Sequence, residues 1–421
     1  MLTQLRSTVT TVALAMLLLA MAIPALAQPE PVTLRYFTWD GGLESQQIRE
    51  DLIEPFQELY PHITIEHEAV PFSQFFDKLT TYIAGGEAPD LIHMSVGYVY
   101  DFADLGLLLN LQPYFDRDLN PDDFFMEPFK AMRYPSMETG DLYGIPFAFV
   151  MSAFYYNETL FDVTGLAYPD ESWTWENVRE AGKRIAHDTD GDGVIDRWGF
   201  HANFDYKLLD MVIHAFGGRI LDEDHNVLVD QPEAVRAAQF LVDMIHEDQI
   251  APGIRANGNN LFQQGQLAMH VTNIFDLQFF RDTMANDWNV ALMPPGPAQR
   301  VVRLWPDSFA IPAGSRYPEE AWEFIKFVIT RDEMDRYRGA RRVPVYRALA
   351  TSPEWIEPDQ RPDKMIFIQQ VAYGHPLEFR PNWGEWNSSR NAALQPAFLG
   401  EEPVQFGMEK WAQAIRNAIG Q

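Results

Sequence analysis

Three short stretches place an indole beside a carboxylate: Trp39-Asp40, Trp305-Pro306-Asp307 and Trp383-Gly384-Glu385-Trp386. An aromatic ring packs on an apolar C–H face, and a carboxylate accepts hydrogen bonds from hydroxyls. Together they suit a polyhydroxylated ring as ligand. The competing expectation for any one Trp is core packing. Trp173, Trp175, Trp322 and Trp411, in or beside helical patterns, are read that way. A second constellation runs from Asp188 to Asp196. It sets carboxylates at positions 1, 3, 5 and 9 (Asp188, Asp190, Asp192, Asp196), Gly at 6 and the Val194 carbonyl at 7. Carboxylates crowded this way repel one another unless a hard cation sits among them, and the pattern is most of a calcium loop. It departs at position 12, where Gly199 replaces a bidentate Glu. One structural Ca2+ on that loop is the expectation, and an ordinary acidic turn is its competitor.

Composition bounds the functions these residues can serve. The chain has 421 residues, 47% hydrophobic and 22% charged, enough for two lobes with sizeable cores. Its formal charge of −28 argues against a nucleic-acid backbone or an anionic membrane surface as partner. No cysteine is present, which excludes disulfides, thiolate metal sites, a cysteine nucleophile and a lipid-modified N-terminal Cys.

Residues 1–27 read as an export signal. Arg6 is the only charge before Glu30, Val12 to Ile23 is apolar, and Ala25-Leu26-Ala27 offers a small-residue cleavage site. The apolar run is shorter than the roughly 20 residues that span a bilayer. Cleavage after Ala27, without a lipid anchor, predicts a soluble periplasmic product.

The elements that must position the candidate residues follow. Val32–Thr38 alternates as a strand, and residues 44–60 have helical spacing through Ile48, Leu52, Phe56 and Leu59. Residues 63–68, 72–84 and 91–94 read as strand, helix and strand. That order predicts an α/β fold with a parallel sheet, helices on both faces, and ligand loops at the carboxyl ends of the strands. Trp39-Asp40 and Met94-Ser95 lie at such ends. Further on, residues 174–186 and 318–329 read as helices, 198–202 as a strand, and Asp230 as the cap of a helix with Pro232 in its first turn.

No nucleophile elbow, zinc-protease, P-loop or dinucleotide motif occurs, and the ten histidines include no i,i+4 pair. Their absence weakens an enzyme reading without removing it, since a catalytic carboxylate pair could stand among the 60 acids, any two of which are more readily surface charge.

Seven stretches carry a resemblance: FTWDGG (37–42), PFQELYPHITIE (55–66), GGEAPDLIHMS (85–95), DLYGIPFAFVMSAFYYNETLF (141–161), FGGRILDEDHN (216–226), FQQGQLAMHVTN (262–273) and DSFAIPAGSRYPEEAWEFIKFV (307–328). In this order they resemble the sugar-type extracellular solute-binding proteins of ABC importers, the group containing maltose-binding protein. The resemblance implies a two-lobed periplasmic-binding-protein fold (type II), with hinge-connected lobes closing over a cleft. Carried onto this chain, the first lobe is 28–149 plus 299–350 and the second 150–298 plus 351–421. It implies a monomeric receptor that binds a mono- or oligosaccharide and delivers it to membrane permease subunits. To Trp39, Asp40, Trp305, Asp307, Trp383 and Trp386 it adds Met94, Ser95, Phe204, Tyr206, Asn273 and Phe275 as ligand-binding residues. Asp90 is expected to be structural. Val150 and Met94 depart from the maltose-binding pattern and argue against maltose itself. A phosphorylated polyol such as a glycerophosphodiester is the alternative ligand, with Arg341 and Arg342 as its candidate cations. A secreted glycosidase is the alternative activity.

Overall fold

The structure is a computed structural model that describes residues 30–39, 41–330, 342–362, 364–376, 378 and 381–421. The export signal, Asp40 and Arg341 lie outside the described residues. The first lobe begins with β1 (Val32–Thr38), β2 (Ile63–Ala69), α1 (Phe72–Ala84), β3 (Leu91–Ser95) and α2 (Val96–Asp104). β1 lies parallel to both β2 and β3, as the alternating strand–helix order requires. Phe75, Phe76 and Leu79 turn one face of α1 into the core. The helical stretch between β1 and β2 is not a uniform α-helix. It is α-helical over Leu43–Gln47 and Glu54–Leu59 with a π-helical stretch over Ile48–Ile53.

Next comes β4 (Ile145–Asn157), thirteen residues without an exposed position. A strand buried on both faces reads as one apolar run, and this one does. Its first half, Ile145–Met151, pairs antiparallel with the first lobe's strand Val302–Ala310. Its second half, Ser152–Tyr156, pairs antiparallel with the second lobe's strand Leu267–Asn273. One strand thus belongs to both lobes and crosses between them at Met151/Ser152.

The second lobe carries α3 (Trp175–Ile185), β5 (Trp198–Phe200), α4 (Leu209–Ala215), α5 (Pro232–His246), β6 (Leu267–Asn273) and β7 (Trp288–Ala291). The chain returns through β8 (Val302–Ala310), α6 (Pro318–Ile329) and β9 (Val343–Pro344), then β10 (Gly374–Pro376), α7 (Trp383–Phe398) and α8 (Val404–Ala418). The sheet order is β2-β1-β3-β8-β4-β6-β5, with β7 and β9 on β4 and β10 on β8. β5 and β6 are parallel, so their carboxyl ends open on the same side.

Thr174 caps α3 in a reciprocal box with Asn177. Asp230 does not cap α5: the cap is Gln231, with no side-chain bond, and Asp230 instead takes the Arg416 guanidinium at 2.8 Å. Asp90 is structural, accepting the Arg35 and Arg316 backbone N–H groups and the Ser315 hydroxyl. No described helix is long and apolar enough to cross a membrane.

Candidate functional site

Successive odd residues of β8 share one face of the sheet, so Arg303, Trp305 and Asp307 form a line. That line runs along the crossing. Trp305 lies 5.6 Å from Tyr206 and 5.5 Å from Trp383 between ring centroids, both inclined. The three rings come from the second lobe's 201–207 loop, from β8 and from the start of α7. The Trp383 ring is seated on the first lobe: a Cβ added at Gly97 of α2 would stand 2.5 Å from it, so only glycine leaves room. Asn382 donates its backbone N–H to Asp101 of the same helix at 3.0 Å.

Beneath these rings lies Arg303, 2% exposed. Nη2 donates to Asn273 Oδ1 at 2.5 Å and Nε to Ser152 Oγ at 3.4 Å. The guanidinium carbon sits 5.3 Å from the Tyr206 ring centre and 5.6 Å from that of Trp305. Burial holds its pKa below the ordinary arginine value.

The second lobe faces the crossing with two cavities that share His201, Asn203 and Asp205. One, of about 460 Å³, is bordered by Phe204, Tyr206, Asn387, Ser388, Arg390 and Asn391. The other, of about 330 Å³, is bordered by Asn257, Asn259, His270, Thr272, Asn273 and Phe275. Both open at the carboxyl ends of β5 and β6, where a parallel arrangement offers its loops to a ligand. Burial pushes the His201 pKa down to about 4 and His270 well below the usual range, so both imidazoles are neutral at pH 7. Arg390 and Asp210 form a buried pair at 2.8 Å. Burial nevertheless pushes the Asp210 pKa up to about 6.

The structure therefore gathers Phe204, Tyr206, Asn273, Phe275, Trp305 and Trp383 on or beside these cavities. Ser95 and Asp307 are register partners at the β3–β8 edge, both buried, and Asp307 is ion-paired with Arg342. Trp39 is half-buried, held edge-on by Phe72, Phe75 and His93. Two expected residues do not face the cleft. Met94 is fully enclosed in the first-lobe core. Trp386, one helical turn after Trp383, points inward, 1% exposed, with its carbonyl accepting the Trp411 indole N–H. Arg303, His201, Asn203, Asn387 and Arg390 were not singled out by the sequence. Strand alternation from Trp305 would have found Arg303, and nothing in the chain order would have found α7's amides.

On the acidic loop, Asp188, Asp190 and Asp192 offer oxygens within 4.8 Å of one another. Asp188 also accepts the N–H groups of Gly191 and Gly193 at 2.7 Å each. Asp196 is turned away, taking the Thr189 N–H at 2.9 Å and hydroxyl at 2.5 Å. Gly199 lies in β5 against the Gly182 backbone and supplies no ligand atom. Those three carboxylates are a hard-cation donor set smaller than the one expected.

The family model for bacterial extracellular solute-binding proteins matches residues 41–335. A binding protein of Brucella abortus is 26% identical over 401 residues, 91% of this chain and 92% of its own length. The maltotriose-binding protein of Pyrococcus abyssi is 23% identical over 82% of this chain and 73% of its own. Among solved structures, an ABC substrate-binding protein from Listeria monocytogenes in complex with cycloalternan superposes with a TM-score of 0.76. It is 22% identical, covering 93% of this chain and all of that one, and the likeness is one of fold.

Proposed function

This chain belongs to the bacterial extracellular solute-binding protein family, and from that premise we propose that it is an extracytoplasmic receptor which binds a sugar between its lobes and delivers it to an ABC permease. The observation that carries the reading is the row Tyr206–Trp305–Trp383 across the lobe crossing, beside two cavities rich in amides and neutral imidazoles. Rings stack on the C–H faces of a pyranose while amides and imidazoles bond its hydroxyls. The two cavities together have the size of an oligosaccharide site rather than that of an ion. Closure seats the second lobe's Trp383 on the first lobe's Gly97, and the closed form is the one a permease would read.

Export with cleavage after Ala27 into the periplasm, and action as a monomer, complete the reading. The acidic loop is proposed to hold one structural Ca2+ through Asp188, Asp190, Asp192 and the Val194 carbonyl, tying the approach to β5. Binding without turnover is proposed in place of a glycosidase.

Thermal-shift screening of mono- and oligosaccharides, maltotriose among them, tests the central claim, because a ligand of the folded state alone raises the Tm. A sugar that raises it and titrates calorimetrically supports the receptor. Silence across the set sinks it, and release of reducing ends by the purified protein replaces it with the enzyme.

A further inference from the structure

Among the described residues, the cations around the cleft are matched with carboxylates, with one exception. Lys207 pairs with Asp205 at 3.5 Å, Arg342 with Asp307, and Arg390 with Asp210 at 2.8 Å. Arg303 is as deeply buried as Arg390, yet its two hydrogen bonds go to an amide and a hydroxyl, and no carboxylate is paired with it. Its Nη1 has no protein acceptor and is not fully enclosed. Asp205 and Asp210 lie near enough to favour its charge and Asp276 borders the neighbouring cavity, but none of them takes a hydrogen bond or ion pair from the guanidinium.

A buried charge without a directly bonded counter-ion carries a desolvation cost that neutral partners and ring faces only partly offset. The nearby carboxylates Asp205 and Asp210 are each engaged with another cation, and neither bonds the Arg303 guanidinium. The missing partner is supplied if the ligand brings it. We propose that Arg303 is the anion anchor of the cleft and that the bound sugar or polyol carries a carboxylate or a phosphate. Tyr206 and Trp305 wall the guanidinium on its faces. Asn273 and Ser152 fix its Nη2 and Nε, leaving Nη1 to meet an oxyanion. A guanidinium held in this way is suited to an oxyanion, whose charge-assisted bonds are about twice as strong as neutral ones. A ligand hydroxyl at the same place would leave the charge uncompensated.

This inference rests on the receptor reading, and its test separates the two. Wild type is titrated calorimetrically, at low and high salt, with trigalacturonate, its methyl ester, glycerophosphoglycerol and maltotriose. The expected result is binding of an anionic probe at least about tenfold tighter than its neutral counterpart, weakening as salt rises. The carboxylate source predicts a response to trigalacturonate over its ester, and the phosphate source a response to glycerophosphoglycerol. Arg303→Met should abolish the preference, with circular dichroism confirming the fold, while Arg303→Lys keeps part of it. Should the Met variant fail to fold, the wild-type comparison and the Lys variant decide. Binding of maltotriose or the ester with no gain for an anionic probe overturns the proposal and leaves the receptor standing. An anionic preference that survives Arg303→Met also overturns it. If no probe binds, the receptor reading fails and this one with it.

Discussion

On the first-lobe side of the cleft, Trp39 is clamped by Phe72 and Phe75, Met94 is enclosed, and Asp307 is already neutralised by Arg342. On the second-lobe side, His201, Asn203, Phe204 and Tyr206 border open cavities, and Arg390 reaches one of them from beneath. The first wall spends its side chains on itself and is a stiff apolar plate. The second holds its polar groups in reserve, with buried imidazoles that lack bonding partners on one nitrogen. The difference teaches that sequence proximity to a strand end does not make a residue a contact. What matters is whether its hydrogen-bonding capacity has been consumed by the fold.

Acid should break the comparison most severely. His201 and His214 have pKa values pushed down to about 4, and His375 to about 3, by burial. Below pH 6.5 the unfolded chain takes up these protons and the folded chain does not, so stability falls from pH 6.5 toward pH 4. Each histidine contributes up to about 3 kcal/mol of that loss. Asp210, raised to about 6, works oppositely, since its folded form gains a proton first between pH 6 and 4, but it is one group against four, His270 being lowered as well. Hydrogen exchange at pH 5 should therefore show second-lobe amides losing protection before those of β1 to β3. Equal loss in both lobes would remove the distinction.

Gly97→Leu should act next. Its side chain would occupy the seat of Trp383, so affinity should fall at least about a hundredfold, roughly 3 kcal/mol. The ligand-free Tm, measured alongside, separates a lost closure contact from a lost fold. Unchanged affinity by calorimetry would mean that Trp383 does not meet the first lobe on closure.

The tryptophans then sharpen the contrast. Trp305→Ala should cost about 1.5–3 kcal/mol of binding, ten- to a hundred-fold, through lost ring contact. Trp39→Ala should change affinity less than about threefold yet lower the Tm, because its ring packs mainly on Phe72 and Phe75. The reverse ranking in parallel titrations would make the first wall the reading surface. The smallest effect belongs to the acidic loop. EDTA should remove about 1–2 kcal/mol of apparent stability, restored by calcium and absent in Asp190→Ala. Melting curves indifferent to both would leave an ordinary acidic turn.

Much of the scaffold was legible because local rules and global fold agree. Val32–Thr38, Phe72–Ala84 and Pro318–Ile329 are elements at the bounds their periodicity predicts. The π-helical stretch at Ile48–Ile53 was not, since one extra residue in a turn leaves the apolar spacing nearly intact. Of the indoles in the aromatic–acid pairs, Trp305 and Trp383 lie in the ring row at the lobe crossing. The same pairing misplaced Trp386, because three residues along a helix turn a side chain by most of a revolution. Arg303 escaped because a charge in an alternating strand reads as its solvent face. Its burial depends on Asn273 and Tyr206, which only the fold brings near. The cavities draw on residues 201–207, 254–276 and 387–391, and no spacing rule joins those segments.

Strand β8 lies between β3 and β4 in the sheet although it follows both of them, and all of β5 to β7, along the chain. As the polypeptide emerges from its N-terminus, β3 and β4 are both available early, with a strand-wide slot between them that nothing yet fills. The second lobe has its strands β5 to β7 in hand before the first has β8. Completion of the first lobe is thus a long-range event in sequence, the kind that slows folding. Until it occurs, the facing edges of β3 and β4 are open to mispairing or to a holding chaperone. A chain cut short before Val302 would accordingly spoil the lobe that was made first.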